Sequence, residues 1–273
     1  MSRSFPNTRF DGHLPALAGI FAFLIALAGG GVGVHAAQSA QQVPAEQELP
    51  DVTSIIARYV EATGGEDLIR SLASAHATGS FSMEAQGLSG ELEVFSAAPN
   101  KLLVRTTLAG IGESATGFDG EIGWSIDPLM GPRLLQGKEL EQVRDEADFF
   151  GDLHDPGSYS VMEVTGMEEF DGANCYAIRF VRLSGLESLE FFEVDGGLIR
   201  GSRSTQESVM GSMAVTTYLS EYRAFGGLLV PTRMVQEFGV GQIAEITMQS
   251  VEYGTVPPEA FDLPLEISAL VGG

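Results

Sequence analysis

The chain has 273 residues and is strongly acidic, with 37 Asp and Glu residues against 15 Lys and Arg residues and a formal net charge of −22. Such a surface repels nucleic-acid phosphates and anionic lipid headgroups, because binding to either begins with Lys and Arg side chains that neutralise them. The composition therefore argues against nucleic acid as a partner and against direct adhesion to a membrane.

The first 36 residues have the pattern of a secretory signal peptide. Arg3 and Arg9 precede a run without charge from residue 14 to residue 34, and Val34-His35-Ala36 places small residues at the spacing that a signal peptidase reads. We predict cleavage after Ala36 and export to the periplasm of a diderm bacterium. A retained membrane anchor is the alternative, but the apolar heart of this run, residues 16–28, is short for a membrane span.

The remaining sequence predicts a lead-in followed by one domain. Residues 37–50 contain several Gln and Pro residues and lack apolar periodicity, which is typical of a flexible segment. Residues 51–268 follow one continuous pattern whose length suits a single β-rich domain. Cys175 is the only cysteine, so no intramolecular disulfide can form, and its strand-like surroundings predict a small buried side chain.

Two helices are predicted at the start of this domain. Asp51 or Thr53 can cap the first helix, and Gly64-Gly65 ends it before a second, short helix. The apolar residues of the first helix share one face at a spacing of three to four residues: Ile55, Ile56, Tyr59 and Val60.

From His76 onwards the apolar period changes to two, which indicates strands with one dry face and one wet face. Asp119-Gly120 predicts a hairpin turn. An apolar connector follows, and then a helix from Lys138 to Phe150. The second half consists of strands separated by Gly-containing turns, without crossover helices. We therefore predict an α+β fold with ten or eleven antiparallel strands.

Several segments, in this order along the chain, resemble the periplasmic outer-membrane lipoprotein-sorting (LolA-like) family. The resemblance covers most of the mature chain, from about Tyr59 to Pro264. The segments are YVEATGG (residues 59–65) with the Leu68 and Leu72 that follow, APNKLLVR (98–105), GFDGEIGWSIDP (117–128), YRAFGGLLVPTR (222–233), QIAEITMQSVEY (242–253) and PPEAFDLP (257–264).

The resemblance implies a strongly curved antiparallel sheet, an open and incomplete barrel, wrapped around helices. In that family an apolar cavity between sheet and helices carries lipoprotein acyl chains from an inner-membrane donor protein to an outer-membrane acceptor protein. Arg105 is the nearest match to the arginine with which these carriers latch their lid. The chain departs from the family in its acidity and its greater length, so the resemblance leaves another ligand open.

A cavity is also expected on physical grounds, because a sheet this wide must curl and can enclose apolar volume beside its helices. Methionines suit such a lining, since they adapt to varied chains. Each one alone is more often an ordinary core residue, so the expectation attaches to the set. Trp124 fits a ligand contact and a core anchor equally well. The predicted lining residues are Met83, Leu92, Val94, Arg105, Trp124, Leu129, Met130, Met213, Met234 and Met248.

The sequence offers few residues that could serve in catalysis or metal binding. Only His76 and His154 remain after the leader, no nucleophile motif occurs, and Asp152-Leu-His154-Asp155 lacks the further ligands that zinc needs. We predict no catalytic residue, no metal and no cofactor. The predicted function is to bind a lipid or lipoprotein acyl chain without turnover, and the alternative is a periplasmic sensor or interaction module that binds a protein partner.

Overall fold

One antiparallel sheet of 13 strands organises the residues that the computed structural model describes, which are 49–208, 211–239 and 241–272. The predicted signal peptide and most of the predicted lead-in lie outside these ranges. Among the described helices, none combines the length and the apolar character that a membrane crossing requires.

The strands follow each other as neighbours along the sheet, with a single long-range junction at which β1 pairs with β13. β6 and β7 form the two edges, and the sheet is not closed into a barrel. The strands are β1 (Ser74–Met83), β2 (Leu88–Ala97), β3 (Lys101–Leu108), β4 (Gly112–Phe118), β5 (Gly123–Asp127), β6 (Gly131–Leu134), β7 (Tyr159–Phe170), β8 (Ala173–Arg182), β9 (Glu187–Glu193), β10 (Ile199–Ser208), β11 (Gly211–Phe225), β12 (Leu228–Phe238) and β13 (Gln242–Tyr253).

The antiparallel α+β fold is thus confirmed, whereas the predicted count of ten or eleven strands was too low. Part of the segment interpreted as a connector is the short strand β6, which pairs with β5 from Trp124 opposite Leu134 to Asp127 opposite Gly131. Its Gly131-Pro132 start reads as a turn in the sequence. Proline is tolerated there because β6 is an edge strand, where one backbone N–H is not needed for pairing.

Four helices are described: α1 (Val52–Thr63), α2 (Glu66–Arg70), α3 (Gly137–Glu146) and α4 (Leu265–Val271). The Asp51 side chain accepts a hydrogen bond from the Ser54 backbone N–H, and α1 ends at Gly64 with a positive φ of 138°, as the cap pattern predicts. α3 ends at Glu146, four residues before the predicted end at Phe150, and a single helical turn follows at Gly151–Leu153.

The inner face of the sheet carries the main core and faces α1 and α3. The apolar side of α1 contacts β7 and β12 and belongs to the same core as alternate residues of the other strands, such as Leu92, Val94 and Met248. The outer face carries two smaller clusters. α4 and the turn before it cover one of them beside Trp124, and buried Cys175 belongs to the other, as its surroundings in the sequence predict.

Candidate functional site

A cavity of about 230 Å³ lies between α3 with its following turn and the inner face of strands β9 to β12. Both walls contribute polar and apolar side chains. Apolar side chains of the main core pack on the inner face beside it, and the cavity is a place where the described fold leaves room for a ligand.

The sheet wall of the cavity changes from polar to apolar along neighbouring strands. On β10 the inward positions are Ser202, Ser204 and Gln206, with Ile199 at the start of the strand. Apolar contacts come mainly from β11 and β12, whose inward residues include Val215, Leu219 and Met234. A ligand in this cavity therefore meets hydrogen-bonding groups on one side and apolar surface on the other.

The helix wall is fixed to the sheet by a few polar contacts. The Gln142 side-chain oxygen accepts a hydrogen bond from the Glu207 backbone N–H at 2.8 Å. The Ser184 hydroxyl donates to Asp145 Oδ2 at 2.6 Å, and Lys138 forms an exposed ion pair with Glu207 at 3.1 Å. α3 therefore covers the cavity through contacts that can be broken one by one.

Glu146, at the end of α3, lines the cavity with one unsatisfied oxygen. Its Oε1 accepts a hydrogen bond from Gln142 Nε2 at 2.9 Å, whereas its Oε2 is buried without a hydrogen-bond partner. Burial removes the carboxylate from water and raises the pKa of Glu146 to about 8, and the nearby Asp145 adds to the shift. Glu146 is therefore mostly protonated and neutral at pH 7 in the absence of a ligand.

Ser96 supplies a second unsatisfied atom to the cavity wall. This β2 residue is only 3% exposed, and its Oγ has no hydrogen-bond partner. A buried hydroxyl without a partner costs free energy, so a polar ligand group or a water molecule is expected to satisfy it.

His154 and Glu190 form a buried ion pair at the cavity margin. His154 Nε2 lies 3.0 Å from Glu190 Oε2, and its Nδ1 lies 3.0 Å from the Asp152 carbonyl oxygen. Burial lowers the pKa of His154, but the Glu190 carboxylate outweighs it and raises the pKa above its ordinary value. Burial raises the pKa of Glu190, but His154, together with Ser188 and Arg182, brings it below its ordinary value. Both shifts favour the charged pair.

Only one of the ten predicted lining residues, Met234, lies at this cavity. Four others are buried in the main core of the inner face, and Met213 is partly buried against that core. The four core residues are Met83, Leu92, Val94 and Met248.

The remaining four predicted lining residues lie away from the inner face, against expectation. Arg105 points outwards, 3.7 Å from Glu93 and over the Phe95 ring, so it does not reach the helices as a latch would. Trp124 packs in the outer cluster below α4. Leu129 and Met130 are 67% and 49% exposed in the turn between β5 and β6. Apolar character alone did not distinguish a cavity from a core, an outer cluster or a turn.

Sequence reasoning missed the polar residues that build the cavity. One signal was available: β10 reads IRGSRSTQES and carries polar residues on both faces, although it lies between strands with a clear apolar face. An interior strand without a dry face suggests that something other than core packing occupies the inner side.

Comparison with known proteins gives structural matches only. No family model and no curated protein matches the sequence. A DUF1329 family protein from Desulfovibrio piger aligns with a TM-score of 0.54 and 12% identity over 77% of this chain and 95% of that chain. A LolA superfamily protein from Nitrosomonas europaea aligns with a TM-score of 0.54 and 16% identity over 79% of this chain and 99% of that chain.

A third similar structure is an outer membrane lipoprotein-sorting protein domain from Vibrio parahaemolyticus. It aligns with a TM-score of 0.51 and 11% identity, over 77% of this chain and 95% of that chain. At these identities the likeness establishes the fold and no more. The chain has a LolA-like fold, as the sequence segments indicated.

Proposed function

We propose that the protein is a periplasmic carrier or binding protein that holds an amphipathic ligand of the lipid class in the cavity below α3. The observation that carries the proposal is the cavity itself, which opens apolar surface and unsatisfied polar atoms to the same space. Burying an alkyl chain contributes about 25 cal/mol per Å² of apolar surface, so useful affinity requires no catalytic group.

The structural neighbours support the choice of the first ligand to test. One of them is a lipoprotein-sorting domain by description, so the acyl chain of a lipoprotein is the first ligand to test here. A carrier of that kind takes its cargo from an inner-membrane donor protein and delivers it to an outer-membrane acceptor protein.

The size of the cavity limits what it can hold with α3 in place. Pockets for drug-sized ligands measure about 300–1,000 Å³, and the present cavity of about 230 Å³ lies below that range. We expect it to take part of one alkyl chain and a small polar group. A larger lipid requires α3 to move away from β10.

Binding without turnover is favoured by the state of the one histidine at the cavity. Both ring nitrogens of His154 are already engaged, one by Glu190 and one by the Asp152 carbonyl oxygen. A general base needs a free nitrogen within hydrogen-bond reach of its substrate. His154 therefore stabilises the wall of the cavity in our account and does not act on the ligand.

The proposal is tested by a fluorescent fatty acyl probe and two methionine variants. Met234 and Met248 are both buried in the main core, on the neighbouring strands β12 and β13, but only Met234 also borders the cavity. We expect Met234→Trp to fill the cavity and weaken probe binding with little loss of stability. Met248→Trp should overpack the core, cost about 1–3 kcal/mol of unfolding free energy and leave binding intact.

Thermal unfolding and probe titration on the same samples separate the possible outcomes. Equal binding by both variants and the wild-type protein places the site elsewhere. A wild-type protein that binds no acyl probe, carries no co-purified lipid and captures a specific protein supports the interaction module in place of the carrier.

A further inference from the structure

We propose that the polar end of this cavity binds a protonated amine of the ligand, which donates hydrogen bonds to Glu146 and Ser96. The inference rests on the proposed function, since it names the headgroup of the amphiphile that the cavity holds. It predicts a ligand with an alkyl chain and a primary ammonium group.

The net charge of the cavity lining is negative and favours a cationic headgroup. Within the described part of the chain, six carboxyl side chains line the cavity against one guanidinium and His154, which is paired with Glu190. The guanidinium belongs to Arg182, which lies 4.0 Å from Asp145 and 3.9 Å from Asp148 and stacks over the Tyr159 ring. Because its own carboxylates already surround Arg182, an anionic headgroup would enter a site with excess negative charge.

Two oxygen atoms in the cavity wall lack a hydrogen-bond partner. Glu146 Oε2 and Ser96 Oγ are both buried, line the same cavity and have no hydrogen-bond partner. Both oxygens can accept a hydrogen bond. A primary ammonium group supplies three N–H donors and no acceptor, so it complements this pair. A carboxylate or phosphate group can accept a hydrogen bond from the protonated form of Glu146, but it adds negative charge to an acidic lining.

The protonation state of Glu146 should change when a cationic ligand binds. Burial holds the pKa of this carboxyl at about 8, so it is mostly neutral at pH 7 while the cavity lacks a cation. An ammonium group beside it favours the carboxylate and lowers the pKa. Amine binding near pH 7 should therefore release close to one proton, whereas an alcohol of the same length should release none.

Isothermal titration calorimetry with three probes of equal alkyl length tests the inference: dodecylamine and dodecanoate, each below its critical micelle concentration, and dodecanol below its solubility limit. We expect dodecylamine to bind about 10- to 100-fold more tightly than dodecanol, the contribution of one hydrogen bond to a charged group. Dodecanoate should bind most weakly. Titration in two buffers of different ionisation enthalpy measures the released proton.

Two variants separate the site from the acidic surface, which attracts any cation. Glu146→Gln should remove the preference for the amine and the proton release, while dodecanol binding persists. Glu141→Gln, on the same helix but paired with Arg144 at the surface, should change neither. Equal affinities for the three probes overturn the amine inference and leave the carrier proposal standing. If no probe binds, both proposals fail.

Discussion

Two regions of the same inner face differ in how they are filled. Along most of β1, β2 and β13 the inward residues are apolar and closely packed, for example Ala77, Val94 and Met248, and Ser96 near the end of β2 is an exception that borders the cavity. Around β10 and β11, below α3, inward Ser204 and Thr217 face a cavity. Alternation along a strand determines which side chains point inwards. The polarity of those side chains then determines whether the space beside them is filled by the core or left open as a cavity.

The largest expected effect contrasts the packed region with the surface. Leu92 is 2% exposed in the core and Leu129 is 67% exposed in the β5–β6 turn. Leu92→Ala should lower the unfolding free energy by about 2–5 kcal/mol, because it leaves a void among packed side chains. Leu129→Ala should change it by less than about 0.5 kcal/mol. Urea unfolding measures both values, and equal losses would contradict the assignment of Leu92 to the core.

The sequence predicted the fold better than the site, and the reason is physical. The period of two, the Asp119-Gly120 turn and the Gly64-Gly65 helix end are local signals that need no knowledge of the tertiary structure. A cavity depends on how distant elements fail to fill a space, and here α3 meets β10 across a gap of more than fifty residues in sequence.

Arg105 illustrates how the pattern could have corrected the resemblance. Its neighbours Val104 and Thr106 are buried on the inner face, so strict alternation places Arg105 on the outer face. A latch for the inner helices cannot start there. β3 was correctly predicted as a strand, but its alternation excludes the latch role that the resemblance implied for Arg105.

The next largest expected effect is on stability; it comes from Glu146 at the cavity and depends on pH. The pKa of Glu146 is raised from 4.5 to about 8 in the folded protein, so the folded state binds more protons than the unfolded state between these pH values. Stability from this group is therefore lost as pH rises through that window. Glu146→Gln should remove the loss and stabilise the protein by about 1–3 kcal/mol above pH 8.

Urea unfolding of wild type and Glu146→Gln at pH 5 and at pH 8.5 measures this difference directly. The gain from the substitution should be small at the lower pH and larger at the higher one. A gain that does not depend on pH would show that Glu146 is not a buried, neutral carboxyl in the folded protein.

The smallest expected effect on stability comes from the contacts that attach α3 to the sheet. Gln142→Ala leaves the Glu207 backbone N–H and Glu146 without their partner, and should cost about 1–2 kcal/mol and speed ligand exchange. Lys138→Ala, on the same helix, removes an ion pair between an exposed lysine and Glu207 of β10, worth at most about 1 kcal/mol. Stopped-flow release of the acyl probe compares them. Identical release rates for both variants would mean that α3 does not control access.

The central claim, that the cavity below α3 holds an amphiphile in the cell, is tested most directly by native mass spectrometry of the protein isolated from the cells that produce it naturally. We predict one bound small molecule that is lost on denaturation, remains bound to Met248→Trp and is missing from Met234→Trp. A protein that carries no bound molecule under conditions that preserve non-covalent complexes, or one whose bound molecule is unaffected by Met234→Trp, would contradict the account.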